Sequence, residues 1–579
     1  MNRPRNRPKP TRNRPEPGLI KPSSRPEQPL MVEYIAGSES QQKPAGDRKP
    51  RGQRGRGGKG KAPPKQPQST ERQGQGQGGG SKSSDQQQQK KRGSRRPGPG
   101  QAHGPLTQDR VRTDQSRRAF EGAGRGRDMT KGSQRDAPVV PQVRVAQVIP
   151  LGMLAEETAR IAGQVEAAVI NEGKRADRLL SSLLRTRRDL ALPDQRFIAR
   201  ATFALFRWRG WLDSTHVTTP LDRLLIAGLL DAPAVSPVHR MWAKIVGRDP
   251  DMLVNGGDAP NWTARAEVLK RLVGHHAINA DPWRLFPTWL REHLPLPPGG
   301  APPKQKYLEL LESMQHRPPL WVRVQGADPK VLWDELSKSG VRPWIHRTLL
   351  GSGKLDPDSD VHHLAAFTRG HLEIQDLASQ AVGFVCDPDP GNRWWDACAG
   401  AGGKSLHLAS LMQGKGQIVA TDVYERVLKE TVRRARRSPF RNITTKLWDG
   451  KRVAGKPGSF DGVLVDAPCS GIGTWRRNPD ARWTLERESI PRLAETQAQI
   501  LKTAAQGVKA GGTLVYSVCT LTPSETRNVI RPFLEAHPDF QLDPFPHPFN
   551  GEPTDGTLQI WPQDGDCDAM FIARMIRTR

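Results

Sequence analysis

Two apolar strands that each lead into a cysteine are the feature that most restricts the fold of this chain. One strand, at 461–465, is followed by the sequence DAPCSG at Asp466–Gly471, and the other, at 513–518, is followed by Cys519. A helical interval separates them, which predicts parallel strands joined by a crossover helix. Ligands of open α/β sheets bind at the carboxyl ends of the strands, so we expect Cys469 and Cys519 to meet in one cleft.

The last two hundred residues repeat this alternation of strands and helices. Helices are predicted between successive apolar strands, and parallel strands with crossover helices are typical of a doubly wound sheet. The fold class is therefore α/β, with a Rossmann-like and mostly parallel sheet. The predicted strands are 393–397, 417–421, 442–447, 461–465 and 513–518, and the predicted helices are 405–411, 424–437 and 493–508.

A loop of small residues, WDACAGAGGKS at Trp395–Ser405, follows the first of these strands and opens a helix. Small residues let backbone amides approach a ligand, and a helix N-terminus favours its carboxylate. A P-loop would need glycine in place of Cys398, and a dinucleotide fingerprint would need glycine in place of Ser405. Asp422 and Asp449 end the next two strands, where carboxylates accept hydrogen bonds from ribose hydroxyls or the adenine amino group. Together these residues point to S-adenosylmethionine as the cofactor.

The paired cysteines suit methylation of cytosine at C5. This carbon is a poor nucleophile until a thiolate adds to C6, and the thiol must afterwards be expelled. A free cysteine titrates at about 8.5, so the nucleophile needs a nearby cation or helix N-terminus, and Arg476 and Arg477 are candidates for that role or for phosphate binding. A single cysteine is more often a buried structural residue. Two that each leave a strand tip favour catalysis.

Three segments resemble the motifs of the Nol/Nop/Sun family of RNA cytosine-5 methyltransferases, and the bacterial RsmB-type branch most. Asp396–Lys404 is similar to the family's D-x-C-A-A-P-G-G-K motif, Asp466–Gly471 to D-A-P-C-S-G, and Tyr516–Glu525 to the T-C or V-C-T motif. The family's substrate is RNA, here most simply ribosomal RNA. The chain departs from the family where Ala-Gly-Ala at 399–401 replaces Ala-Ala-Pro and where Val518 replaces Thr.

The resemblance also implies a role for individual residues. Cys519 would be the nucleophile that attacks C6, and Cys469 would assist release of the product from the covalent adduct. Asp466 would sit by the cytosine N3 edge and the methyl donor. No metal ligands are implied, and no Cys/His cluster has zinc spacing. The residues implied to hold S-adenosylmethionine are Cys398, Ala399, Gly400, Ala401, Gly402, Gly403, Lys404, Asp422, Asp449 and Asp466.

Four segments are predicted along the chain. Residues 1–148 are rich in Pro, Gly, Gln, Lys and Arg and too poor in apolar residues to form a core, so we expect a disordered basic tail. Residues 149–294 show helical periodicity and would be an all-α domain, which the resemblance implies to be NusB-like and RNA-binding. Residues 300–385 would be a small α+β module that handles RNA, and 386–579 the S-adenosylmethionine-dependent methyltransferase domain.

The charge of the chain is concentrated in the tail. Residues 1–150 contain 33 Lys or Arg against 12 Asp or Glu, which is most of the net charge of +29. Such asymmetry favours a polyanionic partner, with nucleic acid ahead of an anionic membrane, although a purely solubilising tail is the plainer interpretation. Arg200, Arg207 and Arg209 are further candidates for phosphate contacts, or for a solvated helix face.

The cysteines and the apolar runs indicate the compartment and the assembly. All five cysteines lie in the last third of the chain, which is not a disulfide framework, and we expect a cytoplasmic protein. No apolar run is long enough to span a bilayer, and no feature demands a partner subunit, so a monomer is expected.

Two other functions remain open from the residues alone. One is a non-catalytic RNA-binding or ribosome-assembly factor that keeps the methyltransferase fold, although such a scaffold has no need for both thiols. The other is a DNA cytosine methyltransferase, in which the Pro-Cys thiol, here Cys469, would be the nucleophile. Separate substitution of Cys469 and Cys519 distinguishes these functions.

Overall fold

Helices make up the described part of the chain that precedes residue 320. The computed structural model describes residues 148–259, 261–274, 278–295 and 304–579, so the predicted disordered tail lies outside the described residues apart from its last position. The predicted all-α character of this region is confirmed. Its α-helices are α1 Leu151–Glu172, α2 Ala176–Thr186, α3 Leu192–Leu212, α4 Pro220–Asp231, α5 Pro237–Ile245, α6 Trp262–Val273 and α7 Lys304–Gln315.

Helix α3 shows why this segment is helical. Its apolar residues recur every three or four positions, and Ala201, Leu205, Trp208 and Leu212 are all buried on one face. A proline in its first turn costs nothing there, because that amide has no partner inside the helix. Each fully buried side chain of this size stabilises the fold by about 1.5–3 kcal/mol.

The arginines of α3 are not available as the phosphate contacts that the sequence suggested. Arg207 is buried and forms an ion pair with Asp231. Arg200 pairs with Asp358, and Arg209 pairs with Glu166. Acidic side chains from neighbouring elements fold against all three, which the helical periodicity of α3 alone does not reveal.

A small four-stranded antiparallel sheet follows, with the strand order β2-β3-β1-β4. Its first strand along the chain begins at Leu320, after a Pro pair that cannot donate backbone hydrogen bonds to a sheet. Strands β2, β3 and β4 are too short to show an alternating pattern and were not predicted. The elements are β1 Leu320–Val324, α8 Pro329–Lys338, β2 Trp344–Ile345, β3 Ser352–Leu355, α9 Ala365–Thr368 and β4 Leu372–Ile374.

The remaining residues form the predicted doubly wound α/β sheet. Its strand order is β10-β12-β9-β8-β5-β6-β7, with β11 paired to β12. The five strands from β5 to β9 are parallel, as predicted, and β10–β12 add an antiparallel edge that was not predicted. The elements are α10 Leu377–Cys386, β5 Arg393–Asp396, α11 Gly403–Leu411, β6 Gln417–Asp422, α12 Glu425–Arg437, β7 Ile443–Leu447, β8 Phe460–Asp466, α13 Ala481–Thr484, α14 Ser489–Ala505, β9 Val508–Val518, α15 Arg527–Ala536, β10 Phe540–Leu542, β11 Thr557–Ile560, α16 Pro562–Gly565 and β12 Met570–Arg577.

The strand order places the candidate site. The chain winds outward from β5 through β6 and β7 on one side and through β8 and β9 on the other, so the direction of winding reverses between β5 and β8. In register, Asp396 lies beside Leu464, and Asp466 lies beside Ser517. The carboxyl ends of β5, β8 and β9 therefore share one edge at the switch point, where ligands of such sheets bind.

The hydrophobic core of the helical region extends to the loops at the carboxyl edge of the large sheet. Side chains of α7 pack with α3 and α4, and this cluster continues into Ile472, Trp475 and Leu521, which follow the carboxyl ends of β8 and β9. Helix α10, in contrast, packs on the large sheet. Within the described ranges, no helix is long and apolar enough to cross a membrane.

Candidate functional site

The two cysteines predicted to meet do so. The sulfur atoms of Cys469 and Cys519 lie 3.3 Å apart, within hydrogen-bond distance, because each cysteine follows one of two adjacent parallel strands. Cys469 is buried, and Cys519 is partly exposed. The hydrogen bond with Cys519, together with burial, raises the pKa of Cys469 well above its usual range. Cys469 therefore remains a protonated thiol at neutral pH.

A buried ion pair stands beside these thiols. The ammonium nitrogen of Lys404, from the first turn of α11, lies 2.8 Å from Oδ2 of Asp466, and Ser517 donates its hydroxyl to Oδ1 at 2.7 Å. Burial lowers the pKa of Lys404, but the charge and hydrogen bond of Asp466 raise it more, and the net shift is upward. Lys404 thus stays a cation within electrostatic reach of Cys519.

Arg476 and Arg477 do not supply that cation, contrary to the expectation from sequence. Arg476 is buried and donates to Asp566 at 2.7 Å, and Arg477 forms an ion pair with Asp568. Both carboxylates belong to the segment before β12, which sequence reasoning did not place near the site. The cation at this edge of the sheet is Lys404, which lies in the first turn of α11 and pairs with Asp466 at the end of β8.

The glycine loop between β5 and α11 has the backbone that its composition predicts. Gly400 and Gly402 adopt positive φ angles of 55° and 84°. A Cβ on Gly402 would lie 2.6 Å from the Thr431 methyl group, so only glycine fits there. Two side chains of α12 hold the loop: Thr431 donates to the Gly400 carbonyl at 2.8 Å, and Arg434 donates to the Ala401 carbonyl at 3.0 Å.

The two aspartates predicted to contact the cofactor differ in environment. Asp422, at the end of β6, accepts the amide of Gly400 at 3.0 Å and that of Tyr424 at 2.9 Å, and burial raises its pKa. Asp449 follows β7 and is exposed. The amides of Lys451 and Arg452 donate to its carboxylate and, with the Lys451 amide first, lower its pKa. Both carboxylates thus lie at strand ends along the same edge of the sheet.

Asp396, the last residue of β5, is fully buried. Ser405 donates to its Oδ2 at 2.6 Å, whereas Oδ1 has no hydrogen-bond partner among the described residues. Burial raises the pKa of Asp396 to about 7. The adjacent Cys398 is a free thiol whose pKa is raised well above its usual range, also by burial.

Glu525 also belongs to the site. It ends the Tyr516–Glu525 motif, but the sequence predicted no role for it. It is fully buried in the turn after Cys519 and accepts hydrogen bonds at both carboxylate oxygens. The sequence offered one signal for this residue. It is a charged residue six positions after a cysteine at a strand end, within a run of Thr, Ser and Pro.

One segment of the chain matches a known protein family. Residues 384–576 match the model of the 16S rRNA methyltransferase RsmB/F family. This segment contains the glycine loop, both cysteines and Glu525. Over this segment the chain is similar to the RsmB/F family. S-adenosylmethionine is the cofactor of this methyltransferase domain.

Curated relatives carry the same family name. The chain is 40% identical over 216 residues to the probable ribosomal RNA small subunit methyltransferase B of Bacillus subtilis, covering 36% of this chain and 48% of that protein. It is 32% identical over 297 residues to ribosomal RNA small subunit methyltransferase B of Salmonella paratyphi A, covering 51% of this chain and 66% of that protein. The chain therefore spans less than two thirds of the length of either relative.

A solved structure supports the fold over a longer stretch. The crystal structure of PH0851 matches with a TM-score of 0.57 and 23% identity, covering 75% of this chain and all of that one. This likeness extends beyond the segment of the RsmB/F match and confirms the predicted α/β fold class.

The chemistry of the residues at the sheet edge fits S-adenosylmethionine. Asp422 and Asp449 supply hydrogen-bond acceptors at the ends of β6 and β7, which are neighbouring strands. Helix α11 begins at Gly403, directly after the glycine loop, and its N-terminal amides favour a carboxylate. The carboxylate of Asp466 faces the same edge, where a sulfonium or ammonium group is complementary to it.

Proposed function

We propose that this protein is an S-adenosylmethionine-dependent methyltransferase that modifies C5 of a cytosine in ribosomal RNA. The observation that carries the proposal is the 3.3 Å separation of the Cys469 and Cys519 sulfur atoms at the switch point of the sheet. The Lys404–Asp466 pair beside them supplies charge of both signs. The names of the curated relatives support ribosomal RNA as the substrate.

Cys519 acts as the nucleophile in the first step. Its thiolate adds to C6 of the cytosine, a carbon–sulfur bond forms, and the C5–C6 π electrons are displaced onto C5. A positive charge favours the thiolate over the thiol, and Lys404 supplies that charge. We assign Asp466 to the N3 edge of the ring, where its carboxylate would accept a hydrogen bond from N3 once the electron-rich adduct takes up a proton there.

The methyl group comes from the bound S-adenosylmethionine, whose sulfonium carbon is electrophilic. The Cys519 bond would hold C5 beside the bound cofactor, which would make methyl transfer effectively unimolecular. Afterwards water takes the C5 proton, the C5–H electron pair restores the C5–C6 double bond, and the carbon–sulfur bond breaks with its electron pair on Cys519. We assign Cys469 to this release step.

The environments of the two thiols support this division of roles. A nucleophile must be a thiolate, and the raised pKa of Cys469 keeps it protonated at neutral pH. A protonated thiol next to the departing sulfur can share its proton with the thiolate that leaves. The reverse assignment, in which Cys469 attacks, is the mechanism of the DNA-type enzymes and requires the buried thiol to ionise.

The other parts of the chain are proposed to hold RNA. The helical segment 149–294 would be the NusB-like RNA-binding domain, and 300–385 the RNA-handling module, both packed next to the catalytic sheet. The basic segment 1–148 would add phosphate contacts that weaken as salt is raised. A ribosomal RNA substrate is consistent with a monomer that acts in the cytoplasm.

A covalent-trapping experiment tests the proposal. Wild type, Cys469→Ala and Cys519→Ala proteins are incubated with unmodified ribosomal RNA and labelled S-adenosylmethionine and are run on denaturing gels. We expect methyl transfer by wild type, an RNA-linked band with Cys469→Ala, and neither with Cys519→Ala. Cys567→Ala, which removes a buried thiol whose acidic neighbours are Asp376 and Asp568, is the control.

Other results would contradict specific parts of the proposal. An adduct with Cys519→Ala instead of Cys469→Ala would reverse the two roles and support the DNA-type mechanism. No methyl transfer by wild type, with no adduct from either variant, would support the non-catalytic scaffold. Sequencing the trapped RNA would identify the modified cytosine.

A further inference from the structure

Glu525 lies at the centre of a hydrogen-bond network that joins both cysteine loops. Its side chain is fully buried, in the turn that follows Cys519. Oε1 accepts the backbone amide of Ser470 at 2.7 Å and the side-chain amide of Gln497 at 3.1 Å. Oε2 accepts the hydroxyls of Ser470 at 2.6 Å and Thr522 at 2.7 Å.

These donors come from the residues next to the two thiols. Ser470 directly follows Cys469, and Thr520 directly follows Cys519. The hydroxyls of Ser470 and Thr520 also lie 2.7 Å apart. Glu525 thus reaches from the segment that carries one thiol to the backbone of the segment that carries the other.

Helix α14 contributes Gln497 to the network. The side-chain amide of Gln497 donates to the Pro468 carbonyl at 2.9 Å as well as to Glu525. The hydroxyl of Tyr516 donates to the Glu525 backbone carbonyl at 2.7 Å. The turn that presents Glu525 is therefore fixed to β9 and to α14, so its carboxylate is a rigid support.

We propose that Glu525 is a positioning residue that holds Cys469 next to the sulfur of Cys519. Cys519 is already placed by β9, whose last residue pairs with Phe571 of β12, and its carbonyl accepts the Gly473 amide at 3.0 Å. The loop of Cys469 has left β8. Gln497 holds it at Pro468 and the Cys519 carbonyl holds it at Gly473, while Glu525 supports it at Ser470, the residue next to the thiol. The assignment rests on the proposed function insofar as Cys469 acts in product release.

A carboxylate is required at this position because every contact to the Glu525 side chain is a donor. A glutamine would turn an NH₂ group toward the donors at one oxygen and leave them without acceptors. Buried donors without a partner are costly, so the Cys469 loop would shift. Aspartate keeps both acceptors but is one methylene shorter, and it is expected to restore part of the support.

The first test measures the position of the thiols without any methyl transfer. Full-length reduced protein is treated with the azo oxidant diamide, which takes up two hydrogens and becomes a hydrazine while two thiols become a disulfide. Mass spectrometry of the joined peptides follows the Cys469–Cys519 bond. We expect Glu525→Gln to form it about tenfold more slowly than wild type, as loss of a buried charged hydrogen bond predicts.

Matched variants separate positioning from general damage. Glu525→Asp should fall between Glu525→Gln and wild type, and Glu535→Gln, on the exposed face of α15, should match wild type. If Glu525→Gln fails to fold, Ser470→Ala and Thr522→Val each remove one hydroxyl donor and are expected to slow the bond severalfold. Wild-type rates in folded variants would overturn the proposal.

A second test uses the RNA adduct. We expect Glu525→Gln to retain the RNA-linked intermediate longer than wild type, and to add nothing when combined with Cys469→Ala, since it acts through Cys469. If Glu525→Gln prolongs the RNA-linked intermediate equally with and without Cys469→Ala, then Glu525 does not act through Cys469 and has a merely structural role. Failure of methyl transfer in wild type would refute the proposed function, and the diamide result would still decide the positioning role.

Discussion

The ammonium group of Lys404 lies 2.8 Å from Oδ2 of Asp466, and both side chains are less than one tenth exposed. Lys404 lies in the first turn of α11, the helix after β5, and Asp466 is the last residue of β8, so the pair joins the two halves of the doubly wound sheet at its switch point. The charged partners satisfy one another in a place where neither would be stable alone.

Lys404→Met tests this pair. Removing one partner leaves a buried carboxylate uncompensated, and we expect a loss of about 3–5 kcal/mol in the free energy of unfolding. Methyl transfer should also be lost, because Cys519 loses its neighbouring cation. Urea denaturation and a methylation assay measure the two effects. Lys415→Met, on the exposed turn after α11, should change neither, and an unchanged stability of Lys404→Met would contradict the prediction.

Asp422→Asn tests the proposed cofactor contact at the end of β6. The carboxylate holds the Gly400 amide, and the amide substitution loses one acceptor and some of the loop geometry. We expect binding of S-adenosylhomocysteine to weaken by about 10- to 100-fold, as for loss of a charged hydrogen bond. Isothermal titration calorimetry measures it, with the exposed Glu425→Gln as the control. Equal affinities would remove Asp422 from the site.

Arg482→Met tests the contact between the helical region and the catalytic sheet. Arg482 is buried, donates to the Met314 carbonyl at 2.6 Å, and stacks 4.3 Å from the centre of the Phe286 ring. Its loss leaves buried carbonyls unpaired, and we expect about 2–4 kcal/mol of destabilisation. The nearby Arg487 pairs with Glu292 at the surface, so Arg487→Met should cost about 1 kcal/mol or less.

Chemical denaturation distinguishes the two arginine variants. If the helical region and the sheet unfold together, Arg482→Met lowers a single transition. Equal stabilities of the two variants would show that the buried contact contributes no more than the surface pair.

Asp396→Asn tests the effect of pH on stability. The pKa of Asp396 is raised from 3.8 to about 7 by burial, so the folded protein keeps a proton that the unfolded chain has lost. The unfolded state then binds fewer protons, and this residue makes the free energy of unfolding fall as pH rises from about 4 to 7. Asparagine does not titrate, so the variant should gain up to about 4 kcal/mol relative to wild type across that window.

Urea denaturation at several pH values checks this difference. The exposed Asp389→Asn, in the loop before β5, should follow the wild-type curve. A difference between Asp396→Asn and wild type that does not change with pH would contradict the raised pKa.

The sequence alone determined the α/β class, the five parallel strands and the meeting of Cys469 with Cys519. These follow from local patterns: apolar runs of strand length, helices between them, and a cysteine directly after each strand. Parallel strands with crossover helices have few possible arrangements, so their carboxyl ends must share an edge. The glycine loop was predictable for the same reason, since positive φ angles favour glycine.

Only the tertiary structure decided which charged groups serve the site. Arg476 and Arg477 precede acidic partners, Asp566 and Asp568, by about ninety residues, and nothing local indicates that these ion pairs form. Lys404 and Glu525 were part of visible motifs, yet their partners come from other strands and loops. Charges act over short distances in space and not along the chain, so their roles depend on the packing that brings those segments together.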